Sequence, residues 1–163
     1  MSGTDAITNK PLLVLSAALA YIMRADGRIV EEEMAEFMTV FGQHVRRGDL
    51  TWDEVNQLAK DGIAYSEVHD IDDFLEEITE DLSFAQRISI LMNVYDAVLV
   101  DGRVVDSERL VMQKFQNSFH VFEDIMGPLR ELLILKNDTS LFTSAANPRN
   151  SADYKLKITI TKV

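Results

Sequence analysis

Apolar positions along the chain fall into two kinds of segment. Two are apolar on nearly every side: Leu12 to Met23, broken only by Ser16, and a later run with Ile88, Ile90, Leu91, Val94, Tyr95, Val98 and Leu99. A helix apolar all round belongs in a core. The pattern therefore predicts helices over 12–25 and 84–100 that pack against each other as two buried central helices. The other segments carry one stripe at three- and four-residue spacing. Met34, Phe37, Met38, Phe41 and Val45 mark a helix over about 30–46. Ile71, Phe74, Leu75 and Ile78 mark a second, and Leu110, Val111, Met112, Phe115 and Phe119 a third.

Punctuation agrees with these elements. Pro11 suits a first helical position. Gly27 and Gly48 stand where helices should stop, and Arg46 and Arg47 suit a helix C-terminus. Thr51-Trp52-Asp53-Glu54 and Ser83-Phe84-Ala85-Gln86 are capping boxes, and Asp70 can cap the helix that follows it. The helix after Thr51 should reach about Lys60 or Tyr65, weakened at Gly62. A seventh helix over about 122–136 contains Gly127-Pro128, which predicts a kink or a split.

The expected fold is thus all-α, with about seven helices. Beyond Asn137 the pattern changes. Thr139 to Asp153 is rich in Ser, Thr, Asn and Ala and reads as a surface loop or linker. Tyr154 to Val163 alternates with period two and gives the only strand signal. An isolated strand needs a partner. It either pairs with its copy in another subunit, making a homodimer, or lies extended over the helices. The organisation expected is a helical domain over 1–136, then a linker and extended C-terminal tail over 137–163.

Composition narrows the function classes. The 163 residues are 47% hydrophobic, enough for a real core. There is no cysteine, which excludes disulfides, cysteine catalysis and zinc-finger ligation. The net charge of −11 offers no basic footprint for nucleic acid and repels anionic lipid. Cations and basic partners fit it, as does solubility alone. Residues 1–10 lack the basic and apolar regions of a signal peptide, and the longest apolar run is too short to span a bilayer. A cytoplasmic protein without direct membrane insertion is the expectation.

The chemistry-bearing feature is a repeat. Asp26-Gly27-Arg28-Ile29-Val30-Glu31-Glu32-Glu33 returns 75 residues later as Asp101-Gly102-Arg103-Val104-Val105-Asp106-Ser107-Glu108. Each copy follows a strongly apolar segment and precedes an amphipathic one, so the chain holds two helix–acidic turn–helix units. Each turn is similar to the second half of an EF-hand loop, with Gly, a branched apolar residue and Glu in register. The first half does not fit, because Ile22, Arg24, Ala97 and Leu99 stand where oxygen ligands are needed. A turn of this kind cannot complete a coordination shell alone. Two turns packed together would gather Asp26, Glu33, Asp101 and Glu108 as metal ligands, with Glu31 and Asp106 in support. All-oxygen ligation favours calcium, magnesium or manganese, with zinc behind them. The alternative is structural: Asp-Gly makes turns, and acidic residues favour a helix N-terminus.

This pattern resembles the TerB-like tellurite-resistance family: an apolar helix, Asp-Gly-x-[Ile/Val], then an acidic helix start with Glu seven residues after the Asp, all present twice. The resemblance covers about 11–136. It implies an all-helical, internally duplicated fold of about seven helices. It also implies a divalent-cation site at Asp26, Glu33, Asp101 and Glu108, and a stress-response role exercised through protein partners, often in membrane-associated complexes. It implies no enzymatic reaction.

Other chemistry finds little support. His44, His69 and His120 are too scattered for a ligand motif, and His44 and His120 suit helix C-termini. No nucleotide-binding glycine loop and no Gly-x-Ser-x-Gly elbow occurs. Three readings remain: a non-enzymatic, divalent-cation-binding stress-response module, a metal-dependent hydrolase built on a carboxylate cluster, and a helical adaptor whose acidic turns only fold.

Overall fold

The computed structural model describes residues 7–26, 31–99 and 104–156; of Asp26 and residues 31–33 it describes the backbone. The described residues form eight α-helices and no strand: α1 (Pro11–Met23), α2 (Glu31–Arg46), α3 (Trp52–Val68), α4 (Ile71–Thr79), α5 (Phe84–Leu99), α6 (Asp106–Ser118), α7 (Glu123–Asn137) and the single turn α8 (Ser140–Thr143). Short 3-10 turns lie at Ile7–Asn9, Arg24–Asp26 and Pro148–Asn150. The all-α expectation holds.

α1 is the centre. Every residue from Ser16 to Met23 is buried, so the helix has no solvent face along that length. It packs chiefly on α3 and also on α2, α5 and α6. α5 shares this central position only in its second half. From Ile90 to Leu99 none of its residues is exposed, whereas Phe84 to Gln86 are exposed. Its burial follows Ile90, Leu91, Val94, Tyr95 and Val98. Ser89, Asn93 and Asp96 mark the opposite side, so α5 is less symmetric than its run of apolar residues suggested. α7 lies on α5, and α4 on α6. A phenylalanine set fills the space between them: Phe37, Phe41, Phe74, Phe115 and Phe119 are fully buried.

The caps fall where the sequence placed them. Thr51 accepts the Glu54 backbone N–H at 3.2 Å, and the Glu54 side chain accepts in return from Thr51. Ser83 and Gln86 form the same reciprocal pair at 3.1 and 2.9 Å. Asp70 accepts the Asp72 backbone N–H at 2.7 Å. Gly48, at φ 81°, ends α2 in the left-handed conformation. Gly27 lies outside the described residues.

Three expectations are corrected. α3 does not weaken at Gly62 but runs on to Val68. The glycine is there because α1 crosses close by: a Cβ on Gly62 would stand 2.8 Å from the Ser16 backbone carbon. Of the kink or split expected at Gly127-Pro128, the split does not occur, and α7 runs through both residues. The proline removes only the bond to the Asp124 carbonyl, and Asp124 is exposed, so water can serve that oxygen. Finally, within 139–153, expected as a surface loop or linker, the mostly exposed chain forms α8 and the last 3-10 turn. Asp138 accepts from Ser140, from Asn147 at 3.0 Å and from Arg149 at 3.0 Å, tying α8 and the last 3-10 turn together. These hydrogen bonds, Ser140 first and Asn147 next, hold the Asp138 carboxyl below its ordinary range. The strand signal falls mostly outside the described residues; Tyr154, Lys155 and Leu156 are not in a strand.

Candidate functional site

The first acidic turn grows out of α1. That helix tightens into the 3-10 turn Arg24–Asp26, with the Arg24 backbone N–H shared between the Ala20 and Ile22 carbonyls. Arg24 also reaches Glu67 near the end of α3, at 3.5 Å. The chain resumes as α2, whose first turn carries Glu31, Glu32 and Glu33. The second acidic turn connects α5 to α6. Val104 packs against the core, and Val105 stands at the N-cap of α6 without a capping side chain. Asp106 and Glu108 occupy the first turn of α6, where the helix dipole favours negative charge.

The two turns come from elements that touch. The 3-10 turn Arg24–Asp26 packs against α6, and α1 does so as well. The 3-10 turn that ends at Asp26 thus lies against the helix that bears Glu108. Glu108 itself is half-buried. Of the four expected ligands, the structure thus places the backbones of Asp26 and Glu33 and the whole of Glu108; Asp101 lies outside the described residues. Asp106 points outward. Its side chain is 96% exposed and pairs with Arg109 on the same helix at 3.4 Å. Among the described residues, no group of three or more His, Asp or Glu side chains is gathered as for a metal ion. Any such gathering needs the side chains of Asp26, Glu33 and Asp101. The donor set, carboxylates alone, suits a hard divalent ion.

The histidines serve the scaffold. His44, in the last turn of α2, pairs with Asp49 at 3.4 Å. His69 stacks on Tyr65 with ring centroids 3.9 Å apart, and its carbonyl accepts the Tyr21 hydroxyl at 2.8 Å. Burial, then the charges of Tyr65 and Asp70, raises Tyr21 well above its ordinary range; burial and then Glu77 push Tyr65 up to about 12. Both therefore act as neutral hydroxyl donors. His120 has φ 56° and closes α6. Its N–H bonds the Asn117 carbonyl and that of Val121 the Gln116 carbonyl, a Schellman ending with histidine in the usual place of glycine.

Two features had no local signal in the sequence. A cleft of about 490 Å³ lies between α4 and α6, bridged by Lys114 and Asp72 at 3.1 Å. Those two residues stand 42 positions apart, which no periodicity connects. On α7, Arg130 donates to Glu123 at 2.8 and 3.0 Å and sits over the Tyr95 ring. The bonds from Arg130, and then from Gln116, bring Glu123 down to about 2.

No helix of the described residues is long and apolar enough to cross a membrane. No curated protein and no solved structure matches the chain. A family model described as tellurite resistance protein TerB matches residues 12–127. That span opens within α1 and closes within α7, and it takes in both acidic turns and the helices around them. The resemblance first carried by two Asp-Gly turns thus extends over most of the fold, and the chain belongs to the TerB tellurite-resistance family.

Proposed function

We propose that this chain is a non-enzymatic module that binds one divalent cation between its two acidic turns and serves a stress response through protein partners. The observation that supports this is the packing of the Arg24–Asp26 turn on α6. It brings the start of the first motif to the helix that carries the last ligand of the second. Each turn lacks oxygen donors at its front, so a shared ion is what would complete either shell. Asp26, Glu33, Asp101 and Glu108 would hold it. Without a cation, carboxylates gathered there would repel one another. Calcium, magnesium or manganese suits the oxygen donors better than zinc. A chain of net charge −11 is also suited to basic partner surfaces, including those of a membrane-associated complex.

Thermal melts test the site. Protein stripped with EDTA is compared with protein given calcium, magnesium, manganese or zinc. An ion at 100 times its dissociation constant should add about 2.7 kcal/mol, raising Tm by roughly 5–10 °C in a chain of this size. Asp26→Asn and Asp101→Asn should each abolish most of the rise, and the double variant should be little worse than either single one. Additive losses with two ions bound would mean separate sites. Identical melts with every ion would leave the acidic turns as caps alone.

A further inference from the structure

The two acidic turns differ by one charge. The residue 75 positions after Arg24 is Leu99, so the first turn carries a cation two positions before its Asp and the second carries an apolar residue there. A positive side chain beside a site for a positive ion competes for the same carboxylates. The structure shows where that charge is kept. Arg24 opens the 3-10 turn that ends at Asp26, and its guanidinium faces Glu67, on the last turn of α3, at 3.5 Å.

The packing of α1 on α3 holds Glu67 in that place. One turn before Arg24, Tyr21 donates its hydroxyl to the His69 carbonyl at 2.8 Å, two residues beyond Glu67. Tyr21 is itself buried, with its ring 4.9 Å from that of Phe74 between centroids. The end of α3 is thereby fixed against the end of α1, and a carboxylate stands within reach of Arg24. As a source of stability the pair is minor. Its side chains are 39% and 56% exposed, and exposed pairs of this kind add little. Its place beside the first acidic turn gives it another use.

We propose that Glu67 is a positioning residue for the cation site: it holds the Arg24 guanidinium on α3 and so keeps it from competing with the divalent ion for the carboxylates of the acidic turns. This inference rests on the shared site proposed above. Without Glu67, the guanidinium is drawn to the nearest remaining negative charge. A unit charge within about 8 Å of a divalent ion weakens its binding about sixfold even at the dielectric of water.

Isothermal titration calorimetry on protein stripped with EDTA tests it. Calcium, magnesium and manganese are titrated in turn, and the tightest is carried through the variants. Glu67→Gln should weaken binding about three- to tenfold. Arg24→Gln should bind at least as tightly as the parent. The double variant should match Arg24→Gln within about twofold, because Glu67 acts only through Arg24. Both single variants break the same ion pair, so a loosened fold would weaken binding in both. Only the loss of Glu67 leaves the guanidinium behind. Unchanged affinity in Glu67→Gln overturns this inference and leaves the shared site standing. So does an equal loss in both single variants, which would make the pair a structural tie. So does a loss in Glu67→Gln that persists without Arg24, which would mean that the Glu67 charge attracts the ion directly. No binding of any of the three ions by the parent overturns the shared site and this inference with it.

Discussion

Replacing Gly62 by alanine tests the close crossing of α1 and α3. An added Cβ would stand 2.1 Å from the Ser16 Oγ, 2.8 Å from the Ser16 backbone carbon and 2.9 Å from its Cβ. The hydroxyl could rotate away, but only by giving up its 2.6 Å bond to the Leu58 carbonyl. The backbone carbon cannot rotate, because it belongs to a helix buried on every side. The two helices must therefore separate. Overpacking of this kind costs about 1–3 kcal/mol, and loss of the buried hydroxyl bond about 1 kcal/mol more. Against this, alanine gains about 1 kcal/mol of helix propensity over glycine. The net expectation is a loss of about 2 kcal/mol, or a Tm lower by roughly 4–8 °C. Urea melts of Gly62→Ala, Ser16→Ala and the double variant measure it. The alanine should cost less where Ser16 has lost its hydroxyl, because the closest contact is then gone. An unchanged or raised Tm in Gly62→Ala would refute the crossing, since propensity alone would then govern the site.

Other outcomes follow from the ends of α6 and α7. His120 holds a left-handed conformation that disfavours side chains by about 1–2 kcal/mol, so His120→Gly should raise Tm by about 2–8 °C, read by calorimetry. Glu123, drawn down from 4.5 to about 2 by Arg130 and Gln116, contributes stability that is present above pH 4.5 and is lost as the pH falls toward 2. Its side chain is 65% exposed, so screening keeps the effect below about 1 kcal/mol. Glu123→Gln should be slightly less stable than the parent at pH 7 and converge with it near pH 2 in acid unfolding.

What was legible in the sequence was local. Thr51, Asp70 and Ser83 cap helices through atoms two or three residues away, so the pattern alone places them. Gly48 ends α2 for the same reason. Gly62 was misleading because its partner, Ser16, lies 46 positions earlier on another helix. Pro128 does not split α7, because it removes only one bond, to the carbonyl of the exposed residue Asp124, which the apolar pattern does not reveal. The order in 138–156 depends on Asp138 meeting Asn147 and Arg149, a meeting that composition hides. The candidate site was legible as chemistry, in the register of its carboxylates. The contact of the Arg24–Asp26 turn with α6 was not, because it is made by packing of α1 and has no sequence spacing of its own.

The burial of α1 bears on how this chain can vary. A helix with one wet side offers substitution a neutral position every few residues, as α4 does between Phe74 and Ile78. From Ser16 to Met23 there is no such side. Tolerance to amino-acid change should vanish there as an unbroken block of eight positions instead of rising and falling with the helical turn. Drift in this protein is thereby displaced onto its outer helices, and the strand of sequence least free to change is the one that leads directly into the first acidic turn.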